Sequence, residues 1–212
     1  MSRCYLDHIT ITAPDLQSGA DYVRQVLGIA PLQGGEHPRM GTHNLLLRLG
    51  DELFLEVIAA DPSVPPPSRP RWFALDALAV DTPPRLSNWV ARTADIHATL
   101  AHSQEDLGKI EPMSRGDNHW LITIPEDGSL PLEGVAPALI EWHTARHPAQ
   151  GMPQQGLALL KLELHHPDAA RLARLMQSLQ MQAGIVVHVI AAHQSPRLIA
   201  HIQTPAGVCI LS

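Results

Sequence analysis

The spacing of hydrophobic residues in the first sixty positions predicts a strand, a helix and further strands. Residues 6–12 (LDHITIT) alternate between apolar and polar types and contain several β-branched residues, as a half-buried strand does. Apolar residues then recur at helical spacing up to Leu27, and Gly28 follows in the position of a C-terminal cap. The other predicted elements of this region are short strands, at 30–33, 44–49 and 53–58.

A proline-rich segment separates this first unit from a second copy of it. Residues 61–70 (DPSVPPPSRP) cannot hold a helix or a central strand, so they predict an extended surface connector. Landmarks of the first unit recur at an offset of 80 residues: Leu6-Asp7-His8 at Leu86-Ser87-Asn88, Asp15 at Asp95, and Leu27-Gly28 at Leu107-Gly108. The chain is therefore internally duplicated.

The second copy carries the same elements with longer loops. Residues 96–107 predict its helix, and residues 119–124 and 137–142 predict two of its strands. In the last of these strands Glu141 aligns with Glu56 at an offset of 85, which requires five extra loop residues.

The C-terminal region opens in the same way for a third time. Residues 159–164 predict a strand, and residues 169–179 have apolar positions at helical spacing. Further strands are predicted at 185–191, 198–202 and 208–211. The predicted organisation is thus a first unit at 1–60, a connector at 61–84, a second unit at 85–146 and a third unit at 156–212.

Three residues in the predicted strands suggest a metal site. Glu56 and Glu141 are carboxylates within otherwise apolar strands, where burial is costly unless something compensates the charge. Because they occupy matching positions of a repeat, a single divalent cation could neutralise both and take His8, on the first strand, as a third ligand.

These residues resemble the vicinal oxygen chelate superfamily, which includes glyoxalase I, extradiol dioxygenases and fosfomycin-resistance proteins. The segment 34–44 (GGEHPRMGTHN), which its glycines and proline mark as a loop, is similar to the signature of the glyoxalase-like domain branch. The signature residues here are Gly34, Gly35, His37, Pro38, Gly41, Thr42 and Asn44.

The resemblance implies an α+β fold in which tandem βαβββ units form a curved mixed-sheet cup, followed by a third βαβββ-like unit at the C-terminus. It implies a divalent metal (Zn, Mn, Fe, Ni or Co) held in the cup by His8, Glu56 and Glu141. Asn88 stands where the superfamily has a fourth ligand. Glu141 is then the expected catalytic base.

Five residues are predicted to contact a substrate, and they lie in the signature or beside the ligand positions. They are His37, Thr42, Asn44, Asn88 and His143. The glycines of the signature would also let backbone amides approach a ligand closely.

Structural roles are the alternative for several of these residues. His8 could hydrogen-bond a carbonyl at a strand end, and the two glutamates could pair with arginines. His165 and His166, which precede the last helix, are interpreted as structural. The arginines available for such pairs are Arg48, Arg92 and Arg146.

The composition and charge argue against two classes of partner, nucleic acids and membranes. The net charge of −6 leaves no broad basic face for nucleic acid, and no apolar run reaches the roughly 20 residues of a membrane span. Cys4 and Cys209 lie in apolar contexts that suit buried thiols, so a cytoplasmic location is expected.

The first functional hypothesis is a metal-dependent enzyme of lyase, isomerase or dioxygenase type, acting on a small oxygenated substrate in the cup between units one and two. The alternatives are a non-catalytic small-molecule binder of the same fold and a structural or regulatory module. Because an odd number of units leaves one without an internal mate, a homodimer formed through the third unit is expected.

Overall fold

The computed structural model describes residues 3–212, which form two β-sheets and carry helices on their faces. The first unit contains β1 (Tyr5–Thr12), α1 (Leu16–Leu27), β2 (Leu32–His37), β3 (Thr42–Gly50) and β4 (Leu53–Ala60). The second unit contains β5 (Arg85–Arg92), α2 (Ile96–His102), β6 (Lys109–Arg115), β7 (Asn118–Ile124) and β8 (Ala138–Trp142). The third contains β9 (Ala158–His166), α3 (Ala169–Ser178), β10 (Ile185–Val189), β11 (Arg197–Thr204) and β12 (Gly207–Leu211).

The first two units join into one eight-stranded mixed sheet with the order β2-β3-β4-β1-β5-β8-β7-β6. In each unit the first strand runs parallel to the last, and the two first strands meet in antiparallel pairing at the centre. The predicted α+β class, with tandem βαβββ units in one curved sheet, is confirmed.

A local twofold axis passes through the antiparallel pairing of β1 with β5 and relates the first unit to the second. His8 pairs with Val90, and Thr10 pairs with Asn88. The axis therefore relates His8 to Asn88 and Thr10 to Val90, which is the 80-residue offset found in the sequence.

Helix boundaries follow capping chemistry. Asp15 accepts a hydrogen bond from the backbone N–H of Ser18 at the start of α1, and Gly28 ends that helix with φ 73°. Asp95 caps α2 in the same way.

Two predicted boundaries are wrong. Residues 34–37 are not a loop but the second half of β2, where a bulge between Gln33 and Glu36 absorbs the glycines. Helix α2 ends at His102 rather than residue 107, because the Ser103 side chain bonds the backbone of Glu105 and offers a turn in place of another helical turn.

The third unit has the predicted order of elements but a different strand order. Its four-stranded sheet runs in the order β10-β9-β11-β12. Strand β9 therefore lies between β10, to which helix α3 connects it, and β11, the first strand of the C-terminal hairpin. In the first two units, by contrast, the first strand pairs with the last. The third unit is therefore βαβββ-like in sequence order only.

One hydrophobic core joins the two sheets. It lies between the helix-bearing face of the first sheet and the inner face of the second, which contributes Leu162, Leu164, Leu198, Ala200 and Ile202. A second core fills the concave face of the first sheet. Within residues 3–212, none of the helices has the length and apolar character needed to cross a membrane.

Replacing Leu162 by Ala tests the shared core. Leu162 is fully buried, so the change should lower the free energy of unfolding by about 2–5 kcal/mol. Leu160 on the same strand is 52% exposed, and its replacement by Ala should cost no more than about 0.5 kcal/mol. Urea unfolding should show a single transition in tryptophan fluorescence and circular dichroism; a separate early transition in Leu162→Ala would contradict one shared core.

Candidate functional site

The concave face of the first sheet holds a narrow cavity with a volume of about 30 Å³. Its walls are mainly aromatic and aliphatic, with four ionisable side chains among them. The lining residues are His8, His37, Phe54, Glu56, Trp72, Phe73, Arg115, Trp120, Ile122, Ile140 and Trp142.

His8 is held in one orientation by the residue before it. The strand register shifts between Leu6 and His8, and this irregularity buries both Asp7 and His8. An Asp7 oxygen lies 2.6 Å from Nδ1 of His8, and the His8 ring stacks on Phe54 with centroids 4.4 Å apart. Because a carboxylate only accepts, Nδ1 carries a proton, and Nε2 is the ring nitrogen that faces Glu56.

Asp7 has further partners from the second unit. Its other oxygen lies 2.9 Å from Nε1 of Trp142 and 2.9 Å from Nε2 of His147. Burial acts to raise the pKa of Asp7, but the hydrogen bonds from His147 and His8 outweigh it, so the pKa lies well below its usual range. Asp7 is therefore an ionised carboxylate within the fold.

Glu56 is the second polar group of the cavity. Its Oε2 lies 3.7 Å from Nε2 of His8 and 3.5 Å from Oγ1 of Thr10. Its Oε1 accepts a hydrogen bond of 2.6 Å from Nδ2 of Asn44. The pair His8–Glu56 thus presents a nitrogen and an oxygen side by side.

A polar chain orients Asn44 toward Glu56. The Oδ1 of Asn44 accepts from the backbone N–H of Gly35 (2.9 Å) and from Nη1 of Arg115 (3.2 Å), so its NH₂ group faces Glu56. Burial lowers the pKa of the Arg115 guanidinium, while the Glu56 charge acts to raise it. The negative charge of Glu56 is therefore compensated by the Arg115 guanidinium, with the side-chain amide of Asn44 between the two groups.

The two glycines of the signature make room for this chain. A Cβ on Gly34 would lie 2.1 Å from Oδ1 of Asn44, and a Cβ on Gly35 would lie 2.6 Å from Cδ of Arg115. The space that the sequence assigned to an approaching ligand is therefore filled by two side chains of the protein.

His37 lies at the end of β2 with 4% of its surface exposed. Its Nδ1 lies 3.2 Å from Oγ1 of Thr42, and it meets the rings of Trp72 and Trp120 at their edges. Burial lowers the pKa of His37 to about 4, which keeps the imidazole neutral near pH 7. His37 lines the cavity, and Thr42 fixes its ring.

Glu141 does not reach the cavity. It lies on the face of β8 opposite to Ile140 and Trp142, which do line the cavity. One carboxylate oxygen accepts from the backbone N–H of Ile96 at the start of α2 (2.7 Å), and the other lies 2.8 Å from Nε2 of His143.

The structure therefore does not assemble the predicted ligand set, and the reason is register. Glu56 pairs with Thr10, and Ala138 pairs with Val90, so the twofold axis relates Glu56 to Ala138 rather than to Glu141. Glu141 stands three positions further along, and an odd displacement turns a strand residue to the other face. His143, beside Glu141, is likewise outside the lining of the cavity.

The donors present do not fit a divalent cation in the cavity. His8 and Glu56 converge, but among the residues that the structure describes no further His, Cys, Asp or Glu forms a metal-binding group with them. The symmetry-related positions hold Asn88 and Ala138; Asn88 is buried with neither amide atom hydrogen-bonded, yet it is not part of the lining. Two donors are fewer than the three protein ligands typical of a catalytic zinc site.

Sequence reasoning missed several lining residues. Trp72 and Phe73 follow the proline-rich connector and fold onto the cavity, with Phe73 and Ala74 at positive φ of 58° and 53°. Arg115 lies at the end of β6, for which no strand was predicted. A signal was present for Trp72 and Phe73, since aromatic residues after a polar linker are costly to leave exposed.

Acidification tests the burial of His37. Because the unfolded chain protonates this residue near pH 6.5 and the folded chain only near pH 4, the free energy of unfolding should fall between these values, by on the order of 3 kcal/mol. Urea unfolding at pH 7.5 and 4.5 measures the loss, which should be smaller in His37→Asn. The exposed His193, replaced by Asn, is the matched control and should keep the full loss; equal pH dependence in all three proteins would contradict the assignment.

Comparison with solved structures identifies the fold. A hypothetical protein from Staphylococcus aureus is 14% identical, with a TM-score of 0.65 over 92% of this chain and 88% of that one. Methylmalonyl-CoA epimerase from Streptomyces coelicolor is 18% identical, with a TM-score of 0.45 over 68% of this chain and 97% of that one. A mutant of 4-hydroxymandelate synthase from the same organism is 14% identical, with a TM-score of 0.46 over 98% and 61%.

At these identities the structures indicate a shared fold alone. No curated protein matches the sequence. The family model described as the glyoxalase-like domain matches residues 6–180, most of the chain. With its two βαβββ units around a concave site, the chain belongs to the glyoxalase-like domain family.

Proposed function

We propose that the cavity is a metal-independent acid–base site, which moves a proton on a carbon next to a carbonyl group of a small substrate. The proposal rests on one observation: the hydrogen bond between His8 and Asp7 orients Nε2 of His8 into a mainly apolar cavity, 3.7 Å from the Glu56 carboxylate. It keeps the predicted small oxygenated substrate and the isomerase type of reaction. In this proposal Arg115 supplies the positive charge that the sequence led us to expect from a metal ion.

His8 is the proposed base. Nε2 takes the proton from the carbon, the C–H electron pair forms the C=C bond of an enolate while the carbonyl π pair moves onto the oxygen, and the imidazolium that forms is stabilised by Asp7. Transfer of that proton to the enolate oxygen, from His8 or by way of Glu56, completes a keto–enol isomerisation. No oxidant or co-reactant is needed.

The walls of the cavity support a substrate with a flat apolar body and an anionic end. Trp72, Trp120 and Trp142 supply aromatic faces, and Arg115 is the permanently charged cation among the lining residues. A neutral His37 can donate or accept a hydrogen bond without adding charge. We propose substrate contact for His37 and Arg115, and positioning roles for Thr42 and Asn44.

Proton exchange tests this function directly. Small 2-oxo acids, from pyruvate to phenylpyruvate, should exchange the hydrogens beside the carbonyl for deuterium in D₂O faster with the protein than without it, as followed by proton NMR. His8→Gln and Glu56→Gln should each slow the exchange by about 100-fold or more, since positioned acid–base groups contribute about 10²–10⁴-fold. Glu141→Gln, on the opposite face of its strand, is the matched control and should exchange at the wild-type rate.

The same panel separates this function from that of a non-catalytic binder. Since three tryptophans line the cavity, quenching of their fluorescence reports binding. Compounds that bind but exchange only at the buffer rate would favour the binder, and a panel without binding or exchange would contradict the substrate class. Loss of exchange in EDTA, with recovery on adding Mn²⁺, Ni²⁺ or Zn²⁺, would overturn metal independence.

A further inference from the structure

The outer face of the second sheet gathers imidazoles around one carboxylate. Glu163 and His165 lie two residues apart on β9, His188 lies opposite His165 on the edge strand β10, and His201 lies on β11 at the other side. Oε2 of Glu163 is 3.1 Å from Nε2 of His165 and 3.8 Å from Nε2 of His188. Oε1 of Glu163 is 3.0 Å from Nε2 of His201.

Hydrogen bonding alone leaves this cluster incomplete. The Nε2 atoms of His188 and His201 are buried and have no hydrogen-bond partner in the part of the chain that the structure describes, although each lies near a Glu163 oxygen. A buried polar atom without a partner is costly. A cation bound beside the Glu163 carboxylate would give the buried nitrogen of His188 the partner that it lacks.

The distances and donor types suit a transition-metal ion. With ligand bonds of about 2.1 Å, two donors of a tetrahedral Zn²⁺ site lie about 3.4 Å apart, and the separations of His165 and His188 from Oε2 of Glu163 lie on either side of that value. Imidazole nitrogens with one carboxylate select zinc or its neighbours over Mg²⁺ and Ca²⁺, which prefer oxygen ligands. The rings of His165 and His188 are stacked with centroids 4.7 Å apart, which places both Nε2 atoms beside the same oxygen of Glu163.

We propose that Glu163, His165 and His188 bind one Zn²⁺ ion, which ties the edge strand β10 to β9. None of these residues lines the concave cavity, so this site is separate from the proposed acid–base site. The His188 side chain is 42% exposed, which leaves a route for the ion to enter from solvent.

Lys161 is the internal competitor for this site. Its Nζ lies 2.6 Å from Oε1 of Glu163, and its side chain is 43% exposed. A bound cation must displace this ammonium group, which can turn into solvent. Removing the lysine charge should therefore strengthen zinc binding, whereas a purely structural ion pair would only be weakened.

Isothermal titration of untagged protein with zinc chloride tests the proposal. We expect one Zn²⁺ per chain in the wild type, an affinity at least tenfold lower in His188→Ala and in His165→Ala, and a higher affinity in Lys161→Met. His193→Ala, which removes an exposed loop histidine, is the matched control and should bind like the wild type. Zinc should raise the melting temperature of the wild type and of this control but not that of His188→Ala.

Two results would overturn the site. One is wild-type protein without stoichiometric zinc binding; the other is unchanged affinity in both His188→Ala and His165→Ala. The gain expected for Lys161→Met cannot arise from misfolding, so it keeps the test decisive if a histidine variant is unstable. Tetrahedral Co²⁺ absorption bands in the wild type, absent from His188→Ala, provide an independent readout.

Discussion

The hydrogen bonds that converge on the Asp7 carboxylate hold the two halves of the cavity together. An ionised group with no solvent exposure is costly by several kcal/mol unless its oxygens are paired, and here His8, Trp142 and His147 supply the donors. His8 comes from the first unit, whereas Trp142 ends the second and His147 follows it. The same bonds that satisfy Asp7 therefore set the tautomer of His8 and dock a tryptophan wall against it.

The buried Glu56 carboxylate also needs hydrogen-bond donors, and it obtains them from different residues. Its partner Asn44 is oriented by a backbone amide and by Arg115, and this arrangement is possible only because residues 34 and 35 lack a side chain. The signature motif thus acquires a physical explanation, since its glycines, its asparagine and a distant arginine form one unit. Loss of any member would leave a buried donor or acceptor unpaired.

Periodicity and internal repetition were enough to predict the class of fold and the 80-residue offset that relates His8 to Asn88. They could not predict the face of Glu141, because loop lengths differ between the units and an error of three residues reverses the side of a strand. The sequence could not predict the hydrogen-bond partners of Glu56 either. Arg115 lies 71 residues from Asn44 along the chain, and only the curvature of the sheet brings the two side chains together.

Three glutamates that interrupt apolar strands show how one residue type acquires different roles. Glu56 faces an enclosed cavity and is compensated by an amide and a guanidinium. Glu141 faces a helix and is compensated by the backbone N–H of Ile96, where the helix dipole favours negative charge. Glu163 faces an open sheet surface and draws histidines and a lysine from three strands. Because each face offers a different set of donors, proton transfer is favoured at the first carboxylate, helix capping at the second and metal binding at the third.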